Sequence, residues 1–106
     1  ALPIWAWLKS NAPDNFFVIC GDRHWQYHSI HPSGIEEFAC GALNDENSRM
    51  GVAPGAKNGS DPEALIKQPY TSVTPQGGFL QIIAAADQLT LEHFDSRGNS
   101  LNRVTR

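Results

Sequence analysis

Five apolar residues in a row, Phe16-Phe17-Val18-Ile19-Cys20, stop abruptly at Gly21-Asp22-Arg23-His24. A run of this length, apolar on both faces and bounded by turn residues, reads as a strand buried inside a sheet. Such a strand needs neighbours on either side and cover above and below. A chain of 106 residues has room for one small domain and no second core.

The flanking sequence supplies candidate neighbours. Ile4, Trp5 and Leu8 recur at helical spacing, and Pro3 is tolerated in a first turn, so a short helix is expected over residues 2–10. A turn cluster over 11–15 separates it from the apolar run. Residues 25–30 alternate loosely and are rich in aromatics, which suits a second strand. His31-Pro32-Ser33-Gly34 makes a turn, and residues 35–40 form a third strand ending at Gly41. Residues 41–78 hold most of the Gly and Pro and show no period, so they read as a long loop. Within it, Asp61-Pro62-Glu63-Ala64-Leu65-Ile66-Lys67 has the cap chemistry of a helical turn or two. Residues 79–85, 89–94 and 100–105 are three further strands. Asp87-Gln88 and Asp95-Ser96-Arg97-Gly98-Asn99 connect them into an antiparallel meander. The expected fold is α+β with strands dominant, a single domain over 1–106.

The composition excludes some partners. A formal charge of −3, with no stretch concentrating Lys and Arg, lacks the basic face that nucleic acid requires. No run of about 18 apolar residues is present to cross a bilayer as a helix. Residues 1–8 are apolar but lack the positive flank and cleavage site of a signal peptide. With no initiator Met, the chain reads as a segment of something longer. Cys20 and Cys40 are either two buried small hydrophobes or one bridge, so they do not fix a redox compartment.

The residues that carry chemistry are Gly21-Asp22-Arg23-His24-Trp25, at the exit of the apolar run. In extended backbone Asp22 and His24 fall on one side, about 7 Å apart at Cα. A carboxylate and an imidazole so placed suit one ion, or two ions separated by ~3.5–4 Å. Asp favours hard ions and neutral imidazole favours zinc, iron or manganese. The plainer alternative makes Asp22 a turn residue and packs His24 beside Trp25. Arg23, between them, suits a surface or structural ion pair, or contact with a substrate phosphate. His28 lies about 13 Å beyond His24 on a strand, too far for a shared ion, and fits the edge of the core. His31 in its turn and His93 in a late strand carry no distinct signal. Asn44-Asp45-Glu46 reads as a solvated turn.

The stretch Phe-Val-Ile-Cys-Gly-Asp-Arg-His-Trp-Gln-Tyr-His-Ser-Ile, residues 17–30, followed by Gly-Ile-Glu-Glu-Phe-Ala-Cys-Gly, residues 34–41, resembles the C-terminal signature of the PhoD-like alkaline phosphatases. These belong to the calcineurin-like metallophosphoesterases. Gly77-Gly78-Phe79-Leu80 is similar to the closing sheet segment of that family, and the likeness covers about two thirds of the chain. It implies an α/β/β/α sandwich of which this chain is the C-terminal part, with Asp22 and His24 as metal ligands. It also implies calcium, iron, manganese or zinc as cofactor, a phosphoester substrate, and a periplasmic or extracellular setting. A polar loop at the active-site rim would correspond to Asn44-Asp45-Glu46. The superfamily's earlier ligand motifs are absent: the chain has one Gly-Asp pair, and its Gly98-Asn99-Ser100 lacks the expected His. The chain alone is therefore expected to be inactive. It should associate with the missing N-terminal part of the catalytic domain or with itself. The rival expectation is a non-catalytic, strand-rich accessory or carbohydrate-binding module with Trp25 and Tyr27 on an exposed face.

Overall fold

A computed structural model describes residues 2–12 and 14–106; the part of the expected 11–15 turn at Pro13 lies outside the described residues. One helix, α1 (Leu2–Asn11), precedes seven strands: β1 (Val18–Cys20), β2 (Gln26–Ile30), β3 (Glu36–Cys40), β4 (Lys67–Thr71), β5 (Gly78–Ala84), β6 (Leu89–Asp95) and β7 (Ser100–Thr105). They form a four-stranded sheet in the order β1-β3-β2-β4 and a three-stranded sheet in the order β5-β6-β7. The fold is strand-dominated α+β, as the hydrophobic patterning implies.

The central unit is the hairpin of β2 and β3. Gly34, at φ 87°, takes the left-handed conformation that side chains resist. The His31 N–H donates to the Ile35 carbonyl at 2.9 Å, closing the turn. Antiparallel register sets His28 opposite Phe38 and Tyr27 opposite Ala39. Because side chains alternate, His28 and Phe38 share one face and Tyr27 the other. The first face packs on the second sheet. The His28 ring stacks on Phe38 at 4.2 Å between centroids, and His93 of β6 lies over both Phe38 and Tyr70. Phe38, Leu91, His93 and Gln26 are the largest fully buried side chains. Burying a Phe38-sized side chain contributes about 2–3 kcal/mol.

Gln26 stitches the sheets together. Its Nε2 donates to the Phe94 carbonyl at 2.9 Å and the Phe79 carbonyl at 3.3 Å, while its Oε1 accepts from the Tyr70 hydroxyl. The approach is close because Gly78 has no side chain: a Cβ there would meet the Phe94 carbonyl and lie 2.7 Å from Gln26 Nε2.

Three expectations need correction. The apolar run is not an internal strand: only Val18–Cys20 pair, in parallel with β3, at the edge of the sheet, and Ile19 is 50% exposed. Phe17, half-buried, meets the edge of Phe38 at 5.7 Å from outside the strand. The stretch 41–78 is not all loop, since β4 pairs with β2 despite Pro69. An edge position tolerates Pro, and the register there shifts between His28 and Ile30. Asp61 caps no helix; its two carboxylate oxygens accept from the Leu65 and Ile66 backbone N–H groups in a turn at 2.9 Å.

Candidate functional site

Residues 21–25 leave β1 as a series of bends, not as extended chain. The alternation that sets Asp22 and His24 on a common side in a strand therefore does not operate. Asp22 and His24 are both exposed, and Asp22 makes no hydrogen bond among the described residues. His24 is held from its neighbour loop: its Nδ1 lies 2.5 Å from the Asn47 carbonyl, and the Arg49 N–H donates to the His24 carbonyl at 2.8 Å. A carbonyl only accepts, so Nδ1 carries the proton and, in the neutral ring, Nε2 carries the lone pair.

The supporting loop is itself ordered by short polar contacts. Asn44 Oδ1 accepts from the Asn47 N–H at 3.0 Å, and Asp45 Oδ1 accepts from the Gly77 N–H at 2.7 Å. The Asn44-Asp45-Glu46 turn thus fixes the carbonyl that orients His24. Arg23 forms no ion pair among the described residues, and its guanidinium sits over the Trp25 ring at 5.5 Å.

Arg23 and Trp25 open onto a groove of about 520 Å³ on the face of the first sheet opposite the core. Tyr27, Glu37, Trp5 and residues of the 52–66 loop complete it. Asp22 and His24 are not among its walls. Trp25 is half-buried and Tyr27 buried, with their planes tilted by 43°. They do not make a flat stacking platform.

Beneath the groove lies a polar cluster that the sequence reading did not single out. Tyr27 donates its hydroxyl to Glu37 Oε1 at 2.5 Å, and the Cys20 thiol donates to the same oxygen at 3.1 Å. Burial pushes the Cys20 thiol up to about 11, with Glu37 adding to the effect, and burial likewise raises Tyr27. Both groups stay protonated at neutral pH. Cys40 donates to the Cys20 carbonyl at 3.3 Å, and both cysteines are free. Parallel pairing sets Cys20 beside Ala39, so Cys20 shares the groove face while Cys40, one residue on, points to the other. Opposite faces explain why they do not bridge.

On the core face, His28 Nε2 donates to Glu36 Oε2 at 2.6 Å, and Arg106 pairs with the same carboxylate. Burial works to raise the Glu36 carboxyl, but Arg106 and His28 together hold it below its ordinary value. His93 donates Nε2–H to the Ala39 carbonyl at 3.1 Å and receives Asn102 Nδ2 at Nδ1 at 3.4 Å. Burial pushes His93 down to about 4, so it is neutral. Two adjacent glutamates within a strand were the available signal, since buried carboxylates require partners. His31 accepts at Nδ1 from the Ser33 N–H and lies against Trp5 in its turn.

The four histidines are thus spread over a loop, two core positions and a turn. No group of three or more His, Cys, Asp or Glu side chains among the described residues is placed to hold a metal ion. No protein-family model matches this chain, and no curated protein matches it either.

Proposed function

We propose that this chain contributes Asp22 and His24 to the metal centre of a phosphoester hydrolase, with the remaining ligands supplied from outside these 106 residues. The observation that carries the reading is the hydrogen bond from His24 Nδ1 to the Asn47 carbonyl at 2.5 Å. A metal-ligating imidazole characteristically gives its second ring N–H to a carbonyl or carboxylate, which fixes the tautomer and aims the other nitrogen at the ion. Here that other nitrogen is Nε2, on an exposed loop, one residue removed from an exposed carboxylate. Bound ions would polarise the phosphoryl oxygens and make hydroxide available near neutral pH. The two small sheets would then form half of a larger α/β/β/α sandwich, and an exported setting follows from the same resemblance.

Two ligands hold an ion weakly, which gives the test its shape. Nitrogen-15 chemical shifts should show His24 as the Nδ1–H tautomer, and zinc or manganese should perturb its Nε2 selectively. His24→Ala and Asp22→Ala should each abolish the perturbation. With a chromogenic phosphoester and added calcium, iron, manganese or zinc, the chain alone should show no turnover above the metal blank. An Nε2–H tautomer, or a His24 indifferent to metal, overturns the ligand assignment; metal-dependent turnover by the chain alone overturns its incompleteness.

The groove favours a second reading, a binding module whose Trp5 and Trp25 grip an organic ligand such as a carbohydrate. The burial of Tyr27 and the 43° tilt between the rings weigh against it. Quenching of tryptophan fluorescence by oligosaccharides, abolished in Trp25→Ala, would favour it.

A further inference from the structure

Sheet edges expose unpaired N–H and C=O groups, and proteins ordinarily guard them with charge, proline, irregularity or brevity. Three of the four edges here are guarded. The edge strand β4 carries Lys67, Pro69 and a shifted register, β7 carries Arg103 and a register irregularity, and β1 is three residues long. The fourth, β5, has none of these protections. Its sequence Gly-Phe-Leu-Gln-Ile-Ile-Ala holds no charge and no proline, and it pairs regularly with β6 over all seven residues. No charged residue occurs from Gly77 to Ala86. Phe79, Ile82 and Ile83 are 38%, 38% and 54% exposed.

The direction of the free backbone groups can be read from the ladder. The Ala85 N–H donates to the Gln88 carbonyl, so the odd-numbered residues of β5 face β6. The Gly78 N–H turns the other way, to the Ala42 carbonyl. Leu80, Ile82 and Ala84 therefore aim their N–H and C=O groups outward, to no backbone partner among the described residues.

We propose that β5 pairs antiparallel with β5 of a second copy about a two-fold axis at Gln81, joining two three-stranded sheets into one. The register is self-complementary over residues 79–83, and the ladder ends there because the Gly78 N–H already bonds the Ala42 carbonyl. Leu80 of each copy meets Ile82 of the other as a hydrogen-bonded pair, Phe79 meets Ile83, and Gln81 meets itself at a non-hydrogen-bonded site. Aromatic and β-branched residues are favoured cross-strand partners, and an isologous contact consumes the edge so that assembly stops at two. The exposed area leaves room for a partner. The chain exposes 6752 Å², whereas a monomer of this mass typically exposes about 5,800 Å². The surplus of roughly 900 Å² belongs to the whole surface, of which the exposed Phe79, Ile82 and Ile83 form part, and it accommodates the ~800 Å² that one partner gives to a standard interface.

Sedimentation equilibrium of the intact chain should give a dimer with a dissociation constant in the range of about 1–10 µM. Ile82→Lys should weaken it at least ~10-fold by placing like charges near the axis. Arg103→Ala, on the guarded edge, should leave it unchanged. Circular dichroism and urea midpoints serve as the folding control. Gln81→Cys should form a disulfide-linked dimer on mild oxidation, and Ile83→Cys, opposite Phe79, should not. A monomer throughout the concentration range, a dimer insensitive to Ile82→Lys, open-ended polymers, a different polypeptide occupying the edge, or equal crosslinking by both cysteine variants would each overturn the proposal.

Discussion

His93 is fully buried, yet every hydrogen bond it makes suits a neutral ring: Nε2–H to a carbonyl and Nδ1 from an amide. Its folded value, about 4 against an ordinary 6.5, is set by burial, which outweighs the opposing hydrogen bond to the Ala39 carbonyl, with His28 adding a smaller push downward. Between those values the unfolded chain binds a proton that the native state refuses, so stability is full above 6.5 and falls as pH drops toward 4. The loss across that window should be about 3 kcal/mol, and urea titrations at its two ends should show it. His93→Gln should flatten the dependence. Cys20 offers a second check. With its thiol near 11 rather than 9, alkylation near pH 8 should run roughly 100-fold slower than for a model thiol. Glu37→Gln should speed it. The sequence placed His93 in a strand but not in the core: the alternation of Leu89, Leu91 and His93 marks a shared face without saying what covers it. The Glu37 cluster was equally hidden, since its members come from three strands whose register only the fold supplies.

Elements with local signatures were readable and those dependent on neighbours were not. The helix, the β2–β3 hairpin and the C-terminal meander each carry their turn chemistry within a few residues, and all three form. Strand β1 misled because five apolar residues are compatible with either a central or an edge position. Phe17 is half-buried against Phe38, and Ile19 faces water. Strand β4 was hidden by Pro69 and polar residues, since its place is set by β2 rather than by its own propensity. The candidate loop was legible as residues but not as geometry, because bends replace the extended chain that the spacing argument assumed. At this scale Gly78 is the sharpest test. Gly78→Ala drives a methyl into the Phe94 carbonyl and the Gln26 amide, and should destabilise the protein by about 1–3 kcal/mol in thermal or urea unfolding.

For the whole molecule, cohesion between the sheets rests on a few contacts. The body measures 39 × 39 × 19 Å, and Phe38, Leu91, His93 and Gln26 are its largest fully buried side chains among the described residues. Arg106 reaches from beyond β7 to Glu36 in the other sheet, where the same carboxylate holds buried His28. Glu36→Ala strands that imidazole and should cost about 1–3 kcal/mol, whereas Arg106→Ala, at a partly exposed pair, should cost less than about 1 kcal/mol. Differential scanning calorimetry separates the two. Gln26 has the further consequence. One primary amide reaches two carbonyls across the seam, a staple set beside the His93–Ala39 and Arg106–Glu36 contacts, and the two leaves share one core. Replacing it with Leu leaves the Phe79 and Phe94 carbonyls without that amide and should lower the melting point of a single cooperative transition.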